Sequence, residues 1–96
     1  MNINILEEAK QDLVDGFYFY ESQSSGLGNY FHDSLFSDID SLMVSAGAHP
    51  TYKGYYKLLS KRFPFAVYYK INKEKVNVYA VLDCRKNPAW IRDRLK

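Results

Sequence analysis

The stretch FPFAVYYKI, residues 63–71, decides the fold because it carries apolar side chains on both of its faces. In a strand, neighbouring side chains point to opposite faces. One face would hold Phe63, Phe65, Val67, Tyr69 and Ile71, and the other would hold Ala66, Tyr68 and Lys70. A run that is apolar on both faces is typical of a strand in the interior of a sheet. The stretch therefore predicts a central strand.

Further strands are predicted on each side of this stretch. Residues 75–84, KVNVYAVLDC, predict the next strand, after a hairpin turn at residues 72–74. We expect Val76, Val78, Ala80 and Leu82 on one face of this strand, with Tyr79 and Val81 on the other. Before the central stretch, residues 52–60 predict a strand with mixed faces, which a turn at Lys61 and Arg62 ends. The C-terminal half is thus predicted to be a β-meander of three strands.

The N-terminal half predicts a short strand followed by two helices. Residues 2–6 alternate in a way that favours a strand, whereas residues 7–23 and 29–45 repeat apolar side chains at helical spacing. The apolar stripes consist of Ala9, Leu13, Phe17 and Tyr20 in the first helix, and of Phe31, Leu35, Ile39, Leu42 and Ala46 in the second. Serines and glycines in residues 24–28 indicate a tight connection. The two helices should therefore form a hairpin.

The order of elements is β-α-α-β-β-β, which predicts an α+β fold. We expect the helical hairpin to pack on one face of a mainly antiparallel four-stranded sheet. A short basic helix or tail should follow from Arg85 onward, because Pro88 is tolerated in the first turn of a helix. Residues 1–96 contain no repeat and no linker, so they predict a single domain.

The composition excludes several classes of protein. With 47% hydrophobic and 17% aromatic residues, the chain is expected to fold rather than to stay disordered. No apolar run is long enough to span a membrane, and the first ten residues lack the pattern of an export signal. We therefore expect a cytoplasmic protein with no membrane partner. The single cysteine, Cys84, excludes an internal disulfide, and its place at the end of an apolar strand predicts a buried, inert thiol.

No residues are spaced for a metal, a cofactor or a common catalytic motif. The two histidines, His32 and His49, lie at ligand spacing neither from Cys84 nor from each other. Gly26 and Gly28 lack the preceding strand that a phosphate-binding loop needs. We therefore expect neither a metal nor a cofactor.

Charge is divided unequally between the two halves of the chain. Residues 1–50 hold one basic and eight acidic side chains, whereas residues 51–96 hold twelve basic and three acidic ones. This asymmetry predicts a face that meets an acidic partner, either a nucleic acid or an acidic protein segment. The alternative is that a solvated acidic helix face simply balances a solvated basic strand face.

The basic residues fall into two groups. Lys53, Lys57, Lys61 and Arg62 lie in or beside one predicted strand, and Arg85, Lys86, Arg92 and Arg94 surround Trp90 in the tail. Basic side chains interleaved with aromatic ones can bind phosphates and stack on bases. They can equally bind an acidic protein segment or only keep the protein soluble, and the composition leaves these alternatives open.

Four stretches of the chain resemble the RelE/ParE toxin superfamily, most closely its ParE-like branch. Residues 8–21 are similar to the family's first helix, and residues 26–31 to its glycine break and the start of its second helix. Residues 62–69, RFPFAVYY, are similar to the family's central-strand motif. Residues 78–90 are similar to its last strand and basic tail. Together the four stretches span almost the whole chain in the family's order.

The resemblance implies the toxin component of a bacterial type II toxin–antitoxin system, of the kind that serves plasmid stabilisation, whose action is growth arrest. A cognate antitoxin would bind and neutralise the toxin, and the two would form a hetero-oligomer. ParE-like members inhibit DNA gyrase and are not enzymes, whereas RelE-like members are endoribonucleases that cut messenger RNA on the ribosome.

Two sets of site residues follow from these two activities. For target binding by a ParE-like toxin, the resemblance points to Arg85, Lys86, Trp90, Arg92 and Arg94. For a RelE-like ribonuclease, the catalytic basic positions would be taken by Lys53, Lys57, Arg62 and Arg85. No Tyr or His follows Tyr79, and the indole of Trp90 is a poor acid or base. The sequence therefore favours gyrase inhibition, with ribonuclease activity, or an inactive interaction module that keeps the fold, as alternatives.

Overall fold

The computed structural model describes all of residues 1–96 and contains a five-stranded sheet with four helices. In chain order the elements are β1 (Asn2–Ile5), α1 (Glu7–Glu21), α2 (Leu27–Asp40), α3 (Leu42–Ser45), β2 (Thr51–Tyr52), β3 (Tyr55–Leu59), β4 (Phe65–Asn72), β5 (Lys75–Asp83) and α4 (Pro88–Arg94). The sheet order is β1-β5-β4-β3-β2. Strand β1 runs parallel to β5, and all other neighbouring strands are antiparallel. The predicted α+β fold with a mainly antiparallel sheet is confirmed.

The sheet has five strands instead of the predicted four because residues 52–60 form a hairpin instead of one strand. Lys53 and Gly54 lie between β2 and β3, and both have positive φ angles, of 56° and 83°. Two consecutive residues in this conformation reverse the chain in a tight two-residue turn that matches the twist of the flanking strands. The sequence Lys-Gly gives a weaker turn signal than Asn-Gly, so the pattern alone suggested a continuous strand.

The second helix ends five residues earlier than predicted, and a single turn, α3, follows it. The hydroxyl of Ser41 donates to the carbonyl of Asp38 at 2.6 Å, and the hydroxyl of Ser45 donates to the carbonyl of Ser41 at 2.9 Å. Serine side chains that bond to nearby carbonyls compete with the regular helix. The start of α2 is fixed by Glu21, whose carboxylate accepts from the backbone N–H groups of Gly26 and Gly28.

The main core lies between the sheet and the α1–α2 hairpin, on what we name the helix face of the sheet. Its fully buried members include Phe31, Leu35 and Ile39 from α2, with Val67 and Tyr69 from β4. The helices approach so closely at Gly16 that a Cβ atom there would lie 2.5 Å from two ring atoms of Phe31. The predicted helical hairpin on one face of the sheet is confirmed.

Strand β5 contains a bulge that changes which of its side chains share a face. Tyr68 pairs with Ala80, but its neighbour Tyr69 pairs with Val78, so Tyr79 is an extra residue on β5. A bulge of this kind interrupts the simple alternation of faces. Val76, Val78 and Val81 belong to the helix-face core, whereas Ala80 and Leu82 lie on the opposite side. The prediction that Val76, Val78, Ala80 and Leu82 share one face is therefore wrong.

A second, smaller core covers part of the opposite side, which we name the reverse face. Ile91 and Leu95, in and directly after α4, pack there against Ala66, Ala80 and Leu82. The predicted tail helix is confirmed: Pro88 lies in its first turn, and the side chain of Asn87 accepts a hydrogen bond of 2.8 Å from the backbone N–H of Ala89. None of the four helices combines the length and the hydropathy that crossing a bilayer requires.

Candidate macromolecule-binding surface

Helix α4 is held against α1 by an ion pair between Arg94 and Asp12. The Nη1 and Nη2 atoms of Arg94 each donate to the Asp12 carboxylate at 2.8 Å. The same carboxylate accepts a hydrogen bond of 3.0 Å from the backbone N–H of Val81, beyond the part of β5 that pairs with β1. The hydrogen bond to Asp12 raises the pKa of Arg94. Arg94, which the sequence assigns to target binding, therefore also anchors the tail.

Arg85 is also engaged within the protein. Its Nε and Nη2 atoms donate to the two carboxylate oxygens of Asp83 at 3.0 and 2.7 Å, and Nη2 lies 3.4 Å from the hydroxyl of Tyr20. The hydrogen bond from Arg85 lowers the pKa of Asp83, and the hydrogen bond to Asp83 raises the pKa of Arg85. Because Tyr20 belongs to the helix-face core, the guanidinium of Arg85 lies toward the helix face.

The remaining tail residues of the predicted site lie around Trp90. The ammonium of Lys86 is 5.4 Å from the centre of the Trp90 ring, and the guanidinium of Arg94 is 5.6 Å from it. A cation over an indole face is attracted by its electron density. Arg92 is exposed and makes neither an ion pair nor a contact with this ring. The structure thus brings together Lys86, Trp90 and Arg94, while Arg92 lies apart from them.

An open cleft of about 300 Å³ lies between α1 and α4. Phe19 of α1 and Trp90 of α4 line it with half-exposed aromatic rings, and Phe65 and Val81 contribute further apolar surface. Charged side chains of both signs, among them Asp15 and Lys86, also line it. A concave site with an apolar lining and a few charged groups suits an apolar side chain from another protein.

Four tyrosines and two lysines form a second feature, on the reverse face. We name it the Tyr-Lys patch, and it consists of Tyr52, Tyr55, Lys57, Tyr68, Lys70 and Tyr79. Lys57 of β3 lies opposite Tyr68 of β4, and its ammonium is 6.0 Å from the centre of that ring. The ammonium of Lys70, two residues further along β4, is 4.5 Å from the centre of the Tyr55 ring. Tyrosines and lysines therefore alternate across the two strands.

Cys84 lies beside this patch and is exposed, so the prediction of a buried thiol is wrong. Strand β5 ends at Asp83, and the backbone N–H of Cys84 donates to the carbonyl of Pro64 at the end of the sheet. Partial desolvation raises the pKa of the thiol, and the charge of Lys57 opposes this shift. Burial likewise raises the pKa of Tyr68 to about 12. The Tyr68 hydroxyl therefore stays protonated at neutral pH.

The four residues assigned to ribonuclease chemistry make no hydrogen bonds with one another and contact different partners. Lys53 lies in the β2–β3 turn, and Lys57 lies on the reverse face of β3. Arg62 is exposed in the loop between β3 and β4 and has no ion pair. Arg85 lies toward the helix face, with its guanidinium bound to Asp83. Among the four side chains, only Lys57 is part of a contact cluster on the open sheet.

Most basic side chains of the protein have no acidic partner. Ion pairs involve Lys10, Arg85, Arg94 and Lys96. The other nine of the thirteen basic residues are Lys53, Lys57, Lys61, Arg62, Lys70, Lys73, Lys75, Lys86 and Arg92. None of the nine belongs to α1, α2 or α3. The unpaired positive charge is therefore carried by the sheet, its turns and the tail, while the helical hairpin contributes none.

Sequence reasoning missed several residues of these surfaces. The sequence pattern assigns Tyr68, Lys70 and Tyr79 only to strands, and Phe19 only to a helix, whereas it places Tyr55 on one face with Lys53 and Lys57. Their proximity depends on the register between strands and on the position of α4. The sequence does show Tyr and Lys alternating on one face of two predicted neighbouring strands. Which of these side chains lie next to each other, however, depends on the register between the strands.

Of the comparisons with family models, curated sequences and solved structures, the comparison with solved structures gives a match. No protein-family model matches the chain. No curated protein matches it in sequence. Among solved structures, a chain of the chromosomal ParDE TA system from P. aeruginosa is similar, with a TM-score of 0.74 and 16% sequence identity over 84% of this chain and 92% of that chain. At this identity the likeness concerns the backbone, so the protein shares the fold of a chain from a toxin–antitoxin system.

Proposed function

We propose that the protein is the toxin component of a type II toxin–antitoxin system, that it acts in the cytoplasm, and that it causes growth arrest by inhibiting DNA gyrase. The observation that carries this proposal is the shared fold, which extends over 84% of the chain and 92% of a chain from a ParDE system. The resemblance of residues 62–69 and 78–90 to the ParE-like branch adds to it. The unpaired basic residues of the sheet and tail supply the charge for binding an acidic partner.

We further propose that a cognate antitoxin neutralises the protein and forms a hetero-oligomer with it. The antitoxin segment would carry apolar side chains for the cleft beside Phe19 and Trp90, and acidic side chains for the unpaired lysines and arginines. Burial of an aromatic or aliphatic side chain in such a cleft provides affinity, while complementary charge speeds association.

The arrangement of the basic residues favours gyrase inhibition over messenger RNA cleavage. A ribonuclease of the RelE kind would need its basic residues to surround one phosphate. Here Arg85 is bound to Asp83 on the side of the helix face, and no Tyr or His follows Tyr79 in the chain. A non-enzymatic toxin requires none of these groups to be reactive.

A supercoiling assay with purified DNA gyrase tests the proposal. The full-length protein is expected to inhibit supercoiling, and Arg92→Ala is expected to weaken the inhibition more than Lys73→Ala, because Lys73 lies in the distant β4–β5 turn. Full supercoiling activity at a large molar excess of protein would contradict gyrase inhibition. Cleavage of messenger RNA by translating ribosomes would then identify a ribonuclease, and unimpaired growth on expression without antitoxin would identify an inactive interaction module.

A further inference from the structure

The two edges of the sheet differ in how well they are protected from pairing with another strand. At one edge, β2 consists only of Thr51 and Tyr52, follows Pro50 and leads into the tight turn at Lys53. A short strand, a proline and a lysine are common means by which an edge avoids pairing. At the other edge, β1 has no charge, no proline and no bulge over residues 2–5. The β1 edge is therefore the one that can accept a further strand.

Main-chain groups without a partner lie along the outer side of β1. The backbone N–H groups of Asn2 and Leu6 donate to carbonyls on the inner side, toward β5, at 2.9 and 3.0 Å. Alternate residues of a strand turn their N–H and C=O groups to opposite sides, so those of Ile3 and Ile5 point away from β5. No strand lies beyond β1, and these four groups therefore have no partner in the sheet.

The side chains of β1 are apolar on one face and carry amides on the other. Ile3 and Ile5 are half-buried against the main core on the helix face. Asn4 lies on the reverse face, where its Nδ2 atom donates to Oδ1 of Asn77 on β5 at 3.2 Å and its own amide oxygen has no partner. A strand that continues the sheet here needs the same alternation of apolar and amide side chains, and β1 itself has it.

Exposed apolar side chains belong to the short helix that contacts this edge strand. Helix α3 packs beside β1, and its residues Met43 and Val44 are 52% and 94% exposed. An additional strand on the β1 edge would bring its own apolar side chains to the helix face, beside α3. The edge thus combines unpaired main-chain groups with apolar surface that the single molecule leaves in water.

We propose that the β1 edge binds the β1 edge of a second copy of the protein, antiparallel, with Asn4 of one copy opposite Asn4 of the other. Ile3 of each copy would then exchange two hydrogen bonds with Ile5 of the other copy, which gives a partner to every outward main-chain group of both residues. Isoleucines would meet isoleucines on the helix face, and amides would meet amides on the reverse face. The two five-stranded sheets would join into one.

The distribution of charge near β1 suits this antiparallel pairing. Residues 2–5 carry no charged side chain, and the first acidic residues, Glu7 and Glu8, follow at one end of the strand. In the antiparallel pair the Glu7 positions of the two copies lie roughly 20 Å apart along the strands, which exceeds the screening length of about 10 Å at about 0.1 M salt. A parallel pair in register would place them side by side. The association requires neither an antitoxin nor a target, so it goes beyond the proposed function.

Sedimentation equilibrium of the full-length protein alone, over a wide range of concentrations, tests the proposal. We expect an equilibrium between monomer and dimer. Asn4→Lys would place two lysines directly opposite each other at the centre of the interface, and it should raise the dissociation constant of the dimer at least about tenfold. Asn77→Lys is the matched control, because it adds the same charge and removes the same amide–amide hydrogen bond one strand further from the edge. Its dissociation constant should stay close to that of the parent.

Disulfide cross-linking tests the register of the two strands. In a Cys84→Ser background, Asn4→Cys should oxidise to a linked dimer, because opposite residues that share no main-chain hydrogen bond have Cα atoms about 4.5 Å apart, within reach of a disulfide. Asn2→Cys in the same background should link far less, since Asn2 would lie opposite Leu6 of the other copy. Thermal unfolding of each variant shows whether it folds.

Three results would overturn the proposal. A protein that stays monomeric at every concentration would leave the β1 edge to a strand of a different protein. A dimer that is as tight in Asn4→Lys as in Asn77→Lys would place the contact elsewhere on the molecule. Equal cross-linking of Asn4→Cys and Asn2→Cys would exclude the antiparallel register that is centred on Asn4.

Discussion

Asp12 and Arg94 lie 82 residues apart in the chain and form a two-fold hydrogen-bonded ion pair, with both distances at 2.8 Å. The pair joins the first helix to the last, and Asp12 also accepts a hydrogen bond from the backbone N–H of Val81, beyond the part of β5 that pairs with β1. Removal of either side chain would leave a partly buried group without its partner. The position of the basic tail therefore depends on an acidic residue in the otherwise distant helical hairpin.

We predict that Arg94→Met lowers the free energy of unfolding by about 1–3 kcal/mol, because it removes two charge-assisted hydrogen bonds at a partly buried site. Asp12→Asn should cost a similar amount, and the double variant should cost less than the sum of the two. Urea denaturation of the four proteins measures this coupling. Fully additive changes, or single changes below about 0.5 kcal/mol, would show that the pair does not anchor the tail.

Substitutions of two arginines of the tail should affect toxicity and thermal stability differently. Arg92 has no partner, so Arg92→Ala is expected to relieve growth arrest without changing the melting temperature. Arg85→Ala breaks the contact with Asp83, so it should relieve growth arrest and also lower the melting temperature. Growth on induced expression is compared with thermal unfolding of the same variants. Unchanged toxicity in both variants would show that neither arginine takes part in binding the target.

Asp83 should contribute to stability in a pH-dependent way. Its pKa is lowered in the folded protein by the hydrogen bond from Arg85, so the contribution is present above the unfolded-state pKa of about 3.9 and is lost as the pH falls through the lower folded-state pKa. We predict that Arg85→Gln is less stable than the parent at pH 6 and that the difference shrinks below pH 4. Urea denaturation between pH 3 and 7 measures it. A difference that grows on acidification would contradict the assignment.

Gly16→Ala should destabilise the helical hairpin by about 1–3 kcal/mol, the usual cost of overpacking a well-packed core. The added methyl group would lie 2.5 Å from ring atoms of Phe31, which belongs to the main core. A second substitution, Phe31→Leu, removes the ring and should recover part of the loss when combined with Gly16→Ala. Denaturant unfolding tests both. Stabilisation by Gly16→Ala alone, as helix propensity would favour, would show that the helices can separate without cost.

Binding of the antitoxin should depend on salt. The unpaired lysines and arginines attract an acidic segment over a distance that ions screen, so the affinity should fall between 50 and 500 mM salt. Phe19→Ala should weaken binding at all salt concentrations, because it removes apolar surface from the cleft between α1 and α4. Calorimetric titration measures both effects. An affinity independent of salt would argue against an electrostatic contribution.

Much of the fold was predictable because it rests on local periodicity. The apolar stripe through Leu13 and Tyr20 and that through Phe31, Leu35 and Ile39 both face the core, as predicted. The bulge at Tyr79 was not predictable, since alternation alone gives no sign of an extra residue. The β2–β3 hairpin was missed because Lys53-Gly54 is a weaker signal for a turn with two positive φ angles than Asn-Gly or Asp-Gly.

The candidate surfaces were predictable only in part. The clustering of basic residues around Trp90 follows from proximity in the chain, and Lys86 and Arg94 do contact its ring. The role of Asp12 could not be foreseen, because its partner is in the last turn of the chain. The Tyr-Lys patch required the register of β3 against β4, which places Lys57 opposite Tyr68. A shift of one residue would have turned these side chains to the other face.

The extra residue in β5 has a practical consequence. Pairing on either side of Tyr79 continues as though this residue were missing, so a chain one residue shorter at this point would keep Val78 under the helices and Leu82 under α4. Tyr79 itself contacts Tyr55 and Lys70. Deletion of this single amino acid would thus yield a regular strand whose flanking side chains keep their present faces, and what the protein would lose is the packing of one tyrosine ring against the smaller core.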